Sequence, residues 1–88
     1  MVKIEMYSTA ACPYCVRARR LLHKKGVEFN EIRIDEEPSR EAEMIQRSER
    51  FTVPQIFIGE RHIGGYDDMA ELDMDDALDP LLRGEEPV

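Results

Sequence analysis

The 88-residue chain has no apolar run approaching the roughly 18 residues that a membrane-spanning helix needs, so no membrane partner is expected. Its opening, MVKIEMYS, lacks the basic start and apolar stretch of a secretory leader, and a soluble protein of the cytoplasm is expected. Positive charge is scarce too: 12 Lys and Arg stand against 19 Asp and Glu, a net charge of −7. Phosphate backbones are neutralised by basic surfaces, which argues against nucleic acid as a partner, and the acidic excess serves solubility. Repeats, linkers and low-complexity blocks are absent, and there are only two cysteines and two histidines. What is there is a globular balance, 42% hydrophobic and 35% charged. The length suits one domain over residues 1–88, with 83–88 as a frayed tail.

Residues 2–7, VKIEMY, alternate Val2, Ile4 and Met6 with Lys3, Glu5 and Tyr7, which predicts a strand with one face in the core. Next, Tyr14, Ala18, Leu21 and Leu22 share one face of a helix, with Arg17, Arg20 and Lys24 opposite. Pro13 suits the first turn of that helix, and Gly26 its end, behind the basic His23, Lys24 and Lys25. VEFNEIRID, residues 27–35, reads as a second strand. Its apolar parity changes from Val27 and Phe29 to Ile32 and Ile34, implying an irregular stretch or burial on both faces. Strand, helix and strand make a βαβ unit with a right-handed crossover. Residues 35–50 predict a short exposed helix carrying Ala42, Met44 and Ile45. QIFI (55–58) and RHIG (61–64) predict a hairpin about Gly59 and Glu60. A last helix should run from the Gly64-Gly65 pair to about Asp76, with Met69 and Leu72 inward and Pro80 interrupting any continuation.

The two cysteines lie in ACPYC, three positions apart. A disulfide closing so small a loop stabilises by only about 2 kcal/mol before strain, and thiols inside cells are kept reduced, so a structural staple is disfavoured. A zinc site would have to recruit His23 and His62. His23 is eight residues beyond Cys15 on one helix, about 12 Å along the axis, too far to share an ion with it, so no metal site is expected. Redox chemistry fits better. Cys12 stands where unpaired N–H groups and the positive dipole end of the helix converge, a pull on its thiolate of up to about 2 kcal/mol. Cys15, one turn on and on the same face, can attack a mixed disulfide formed on Cys12.

CPYC, TVPQIFI and GGYDDM, in this order and spacing, resemble the dithiol glutaredoxins of the short bacterial glutaredoxin 3 type, from residue 3 to about 83. The resemblance implies an α/β thioredoxin-like fold, a four-stranded mixed β-sheet flanked by helices in the order βαβ, then α, then ββα. It implies a glutathione-dependent thiol–disulfide oxidoreductase with Cys12 and Cys15 as catalytic pair. Glutathione is then a co-substrate, and no tightly bound cofactor is expected. Disulfide-bearing or glutathionylated proteins are the implied partners, ribonucleotide reductase among them at family level, and the chain is expected to act as a monomer. Implied glutathione contacts are Tyr14, Thr52, Val53, Pro54, Gly65, Tyr66, Asp67 and Asp68.

In the family the bond before Pro54 is cis, turning the Val53 backbone toward Cys12, where it can pair with the cysteine backbone of glutathione. The plainer reading of Pro54 is a strand-edge proline ending a loop. Helix N–H groups after Gly65 can receive the γ-glutamyl carboxylate, and Asp67 or Asp68 its ammonium group; the plainer reading is that these acids cap the helix. Tyr66 replaces a cysteine that many relatives carry. Thr9 stands in the region where many relatives have a lysine that pairs with the glycine carboxylate, leaving Arg40 or Arg50 as substitutes, or as ordinary surface arginines. Arg17 either raises the potential around the thiolate or merely coats the helix. Two other functions compete: a thioredoxin-like electron donor reduced by a flavoprotein reductase, which would not need GGYDD, and a glutathione-ligated iron–sulfur carrier. Relatives that hold clusters usually lack the residue corresponding to Pro13.

Overall fold

Strand β1 (Ile4–Ser8) leads into helix α1 (Pro13–Lys24), which returns the chain to strand β2 (Asn30–Arg33), parallel to β1. Helix α2 (Ser39–Ser48) precedes strands β3 (Gln55–Ile58) and β4 (Arg61–Gly64), and helices α3 (Tyr66–Met74) and α4 (Leu78–Leu82) follow. The computed structural model describes residues 2–85. Its strands form one sheet in the order β2-β1-β3-β4, with β3 antiparallel to β1 and to β4. This is the four-stranded mixed sheet flanked by helices that the family resemblance implies. The hairpin strands fall on the expected residues on either side of the Gly59-Glu60 turn, with a register shift between Ile56 and Phe57.

Strand β1 departs from its alternating pattern, since all five of its residues are buried. Ile4 and Met6 pack with Ala18, Leu22, Ile56, Met69 and Leu78 on the face covered by α1, α3 and α4. Tyr7 packs with Ile32, Ile34, Met44 and Phe57 on the face covered by α2. Glu5 lies on that second face, and burying a carboxylate without a partner is costly. Arg47 of α2 answers it: the guanidinium reaches Glu5 at 3.2 Å, donates to the Tyr7 hydroxyl at 2.8 Å and lies 4.0 Å from the Phe57 ring centroid. The Tyr7 hydroxyl in turn donates to Glu43. So polar residues in a central strand face a second helix layer here, not solvent.

Only Asn30–Arg33 of the expected second strand enters the ladder. Val27 and Phe29, outside it, pack against the first cluster, while Ile32 and Ile34 belong to the second, so the parity change records two faces of one sheet. Helix α2 is buried only at Met44 and Ser48. Tyr14 departs from the helical wheel: it stands 50% exposed in the first turn of α1.

The C-terminal part contains a helix that the sequence reading lacks. Asp76, at φ 58°, breaks the chain after α3, and Leu78–Leu82 then form α4 with all three leucines buried. Pro80 is its third residue, where a backbone N–H has no intrahelical acceptor, so proline opens a helix where it was expected to end one. Lys25 pairs with Asp73 at 2.6 Å and Asp79 at 2.9 Å, tying the end of α1 to α3 and α4. Of the expected tail, Arg83, Gly84 and Glu85 close back on α4 through backbone hydrogen bonds, and 86–88 lie outside the described residues.

Candidate active site

Cys12 is the N-cap of α1, in extended conformation (φ −91°, ψ 115°), and its Sγ accepts the Cys15 N–H at 3.2 Å. The same sulfur is 3.6 Å from the Val53 carbonyl oxygen. Cys12 is half-buried, Cys15 buried, and both are free thiols. Burial first, and then the hydrogen bond and charge of Cys12, push the Cys15 thiol up to about 12. At neutral pH Cys15 is therefore a protonated thiol beside an accessible sulfur. Iodoacetamide at pH 7 is expected to label Cys12 alone, with Cys15 reacting only as the pH nears its value of about 12 or the fold opens. Peptide mapping of the adducts checks this; a fast adduct on Cys15 would contradict it.

The loop leading into Cys12 is tethered by Asp35, whose Oδ2 accepts the Ala10 N–H at 3.2 Å. Arg33 grips the same carboxylate at 2.9 and 2.7 Å and holds it well below the usual carboxylate range. Nothing in the sequence marks Asp35 for this work, because its spacing from Ala10 is set by the parallel pairing of β1 and β2.

The Val53–Pro54 bond is cis. A groove of about 300 Å³ opens beside it, lined by Tyr14, Arg50, Thr52, Val53, Pro54, Gly65, Tyr66, Asp67 and Asp68. All eight expected glutathione contacts thus border one hollow. Of the two arginines considered for a carboxylate, Arg50 borders it and Arg40 does not. Arg40 sits on α2, engaged by Glu43 at 3.1 Å and Glu37 at 3.6 Å, because acids at helical spacing capture it locally.

Asp68 caps the acidic helix start and also borders the groove. Its Oδ2 accepts the Gly65 N–H at the start of α3 at 2.9 Å, a capping bond, and also takes Arg50 Nη1 at 2.9 Å. Arg50, and then the Gly65 N–H, hold its carboxyl below the usual range. Gly64, at φ +115°, makes room for this pair: a Cβ there would come within 2.3 Å of Asp68 Oδ2 and 3.1 Å of Arg50 Nη1.

Two buried polar residues that sequence reasoning passed over fix the loop between α2 and β3. Ser48 Oγ accepts the Arg50 N–H at 3.0 Å while donating to Met44 O at 2.7 Å. Gln55, fully buried, donates to Thr52 O at 3.0 Å and Thr52 Oγ1 at 3.3 Å, and its Oε1 takes His62 Nε2 at 2.7 Å. With Gln55 oriented to donate to Thr52, the His62 Nε2 carries the hydrogen. A glutamine inside the apolar run VPQIFI was the available signal.

The glutaredoxin family model matches residues 4–63. The chain belongs to the glutaredoxin family. It is 53% identical over 83 residues to Glutaredoxin 3 of Escherichia coli (strain K12), which covers 94% of this chain and 100% of that protein. The solution structure of glutaredoxin from Brucella melitensis superposes with a TM-score of 0.86 at 48% identity, covering 100% of this chain and 96% of the other. The crystal structure of a buckwheat glutaredoxin–glutathione complex gives a TM-score of 0.87 at 32% identity, covering 94% and 78%. As a glutaredoxin, the chain is a glutathione-dependent thiol–disulfide oxidoreductase that uses glutathione as co-substrate and acts on disulfide-bearing proteins. No helix among the described residues of this glutaredoxin is long and apolar enough to cross a membrane.

Proposed function

We propose that Cys12 is the nucleophile, Cys15 the resolving thiol, and the groove beside Val53 the seat of glutathione. The Cys12 thiolate attacks one sulfur of the target disulfide, forming a mixed disulfide and expelling the other sulfur as a thiolate that takes up a proton. Two routes then complete the exchange. Either glutathione attacks a glutathione held on Cys12, releasing oxidised glutathione, or Cys15 attacks Cys12, releasing the target thiol and closing a disulfide that two glutathiones reopen. Once Cys12 is in a mixed disulfide its charge is gone, so part of what holds Cys15 up is removed and its deprotonation becomes easier. The Cys15 N–H that faces Cys12 Sγ stabilises that sulfur as a leaving thiolate.

The observation that carries the reading is the convergence of the implied contacts on one groove whose Val53 carbonyl lies 3.6 Å from Cys12 Sγ. In it, Val53 pairs with the cysteine backbone of glutathione, and Tyr14, Thr52, Pro54, Gly65 and Tyr66 form the walls. The N–H groups of Asp67 and Asp68 at the start of α3 take the γ-glutamyl carboxylate, and the Asp68 carboxylate takes the ammonium group. Ammonium and carboxylate share one carbon in that residue. Arg50, 2.9 Å from Asp68, therefore works at the γ-glutamyl end in this reading and leaves the glycine carboxylate to solvent or to other donors. A monomeric state, a cytoplasmic setting and ribonucleotide reductase as one target complete the proposal.

A glutathionylated peptide supplied to the purified protein is expected to turn over with glutathione and glutathione reductase, and not with thioredoxin reductase. Turnover with the second reductase alone would overturn the glutathione reading.

A further inference from the structure

We propose that Phe51 is a specificity-determining contact for the polypeptide that carries the target disulfide, receiving an apolar side chain next to the reacting cysteine; this rests on glutathione occupying the groove. Phe51 is 79% exposed, although burying a phenylalanine is among the larger gains open to a folding chain. Single exposed apolar residues are ordinary, and Met74, 84% exposed near the other end of α3, is one. Phe51 differs in how it is held. Ser48 pins the backbone of the residue before it, taking the Arg50 N–H at 3.0 Å, and Gln55 pins the residue after it through Thr52 O at 3.0 Å. An aromatic ring is thus presented from a fixed backbone, which lowers the ordering cost of a contact.

Its place fits the reaction. Arg50, Thr52 and Val53 border the groove while Phe51 does not, so Phe51 sits in the chain beside the lining and leaves the glutathione seat untouched. The Val53 carbonyl is 3.6 Å from Cys12 Sγ, and two residues of chain separate Phe51 from Val53 by at most about 7 Å between Cα atoms. A target cysteine that reaches Cys12 brings its own neighbours, about 3.8 Å away per residue, past that stretch of chain. Tyr14, 50% exposed with the Arg17 guanidinium 5.3 Å from its ring centroid, borders the same groove and adds a second aromatic surface. The chemistry selects a polypeptide with leucine-like or aromatic residues flanking its cysteine.

The test compares two glutathionylated pentapeptides, Gly-Gly-Cys-Gly-Gly and Gly-Leu-Cys-Leu-Gly, under glutathione and glutathione reductase. The protein is expected to prefer the leucine peptide. Phe51→Ser should lower kcat/KM for that peptide about tenfold, the scale of one interface anchor, and leave the glycine peptide within about twofold. Phe51→Leu should keep the preference, and Met74→Ser should change neither rate. An absent preference, an equal loss on both peptides in Phe51→Ser, or the same loss in Met74→Ser overturns the proposal. Failure of glutathione to turn over either peptide would overturn it together with the glutathione reading, and only that outcome removes the glycine-peptide rate of the unmodified protein.

Discussion

Cys12→Ser is expected to bring every exchange reaction down to the uncatalysed background, whereas Cys15→Ser keeps reduction of glutathione mixed disulfides and loses most reduction of protein disulfides. The asymmetry follows from position. Cys12 is the half-buried sulfur at the mouth of α1, and Cys15 is a buried thiol pushed up to about 12. A glutathione mixed disulfide needs only the first sulfur, since a second glutathione completes the exchange. A protein disulfide leaves a bulky partner on Cys12, and an internal thiol one turn away acts there at an effective concentration that a free thiol does not match. Serine at position 15 also keeps the backbone N–H that faces Cys12 Sγ at 3.2 Å, so the first step retains that donor. Rates on a glutathionylated peptide and on a disulfide-bonded protein, measured side by side, decide the matter. Equal loss of both in Cys15→Ser would overturn the division of roles.

Asp68→Ala is expected to slow glutathione-driven turnover by roughly ten- to more than a hundredfold, the equivalent of one charge-assisted hydrogen bond of about 1.5 to 3 kcal/mol. The same change removes a helix cap, worth about 1 kcal/mol of stability. Its ion pair with Arg50 adds little, because both side chains are nearly half exposed. Asp68→Asn separates the two jobs. An amide oxygen can still accept the Gly65 N–H but carries no charge for an ammonium group, so the asparagine variant should keep its melting temperature and lose turnover. Unchanged turnover with a lowered melting temperature in Asp68→Ala would leave only the cap.

Local signals were readable and long-range ones were not. Helix α1 could be placed because Pro13 and Gly26 mark its ends independently of any neighbour, and the hairpin because its glycine turn sets the pairing. Pro80 misled, since whether a proline ends one helix or opens the next depends on Asp76 turning the chain at φ 58°, which no pattern announces. The burial of Glu5 depends on Arg47, 42 residues away. At the site, the family resemblance gathered eight residues that do border one groove. That Arg50 borders it and Arg40 does not required knowing that Glu37 and Glu43 hold Arg40 on α2, while Gly64 leaves room for Arg50 against Asp68. Gln55 stood out in an apolar run, but the partners that make it and Ser48 supports, Thr52 and His62 for one and Met44 O and the Arg50 N–H for the other, are set by the folded chain.

The two faces of the sheet are joined to their helices by different forces. Under α1, α3 and α4 the contact is mainly apolar, with Ile4, Met6, Leu22, Ile56, Leu78 and Leu81 in one cluster. Under α2 it is mixed, a small apolar cluster bordered by the Glu5, Tyr7, Glu43 and Arg47 network at the helix edge. Cooling weakens the first kind of cohesion and added salt the second. The helix that carries Cys12 is therefore held mainly by cohesion that fades in the cold, and the helix that leads into the Phe51 loop in part by charges that fade in brine.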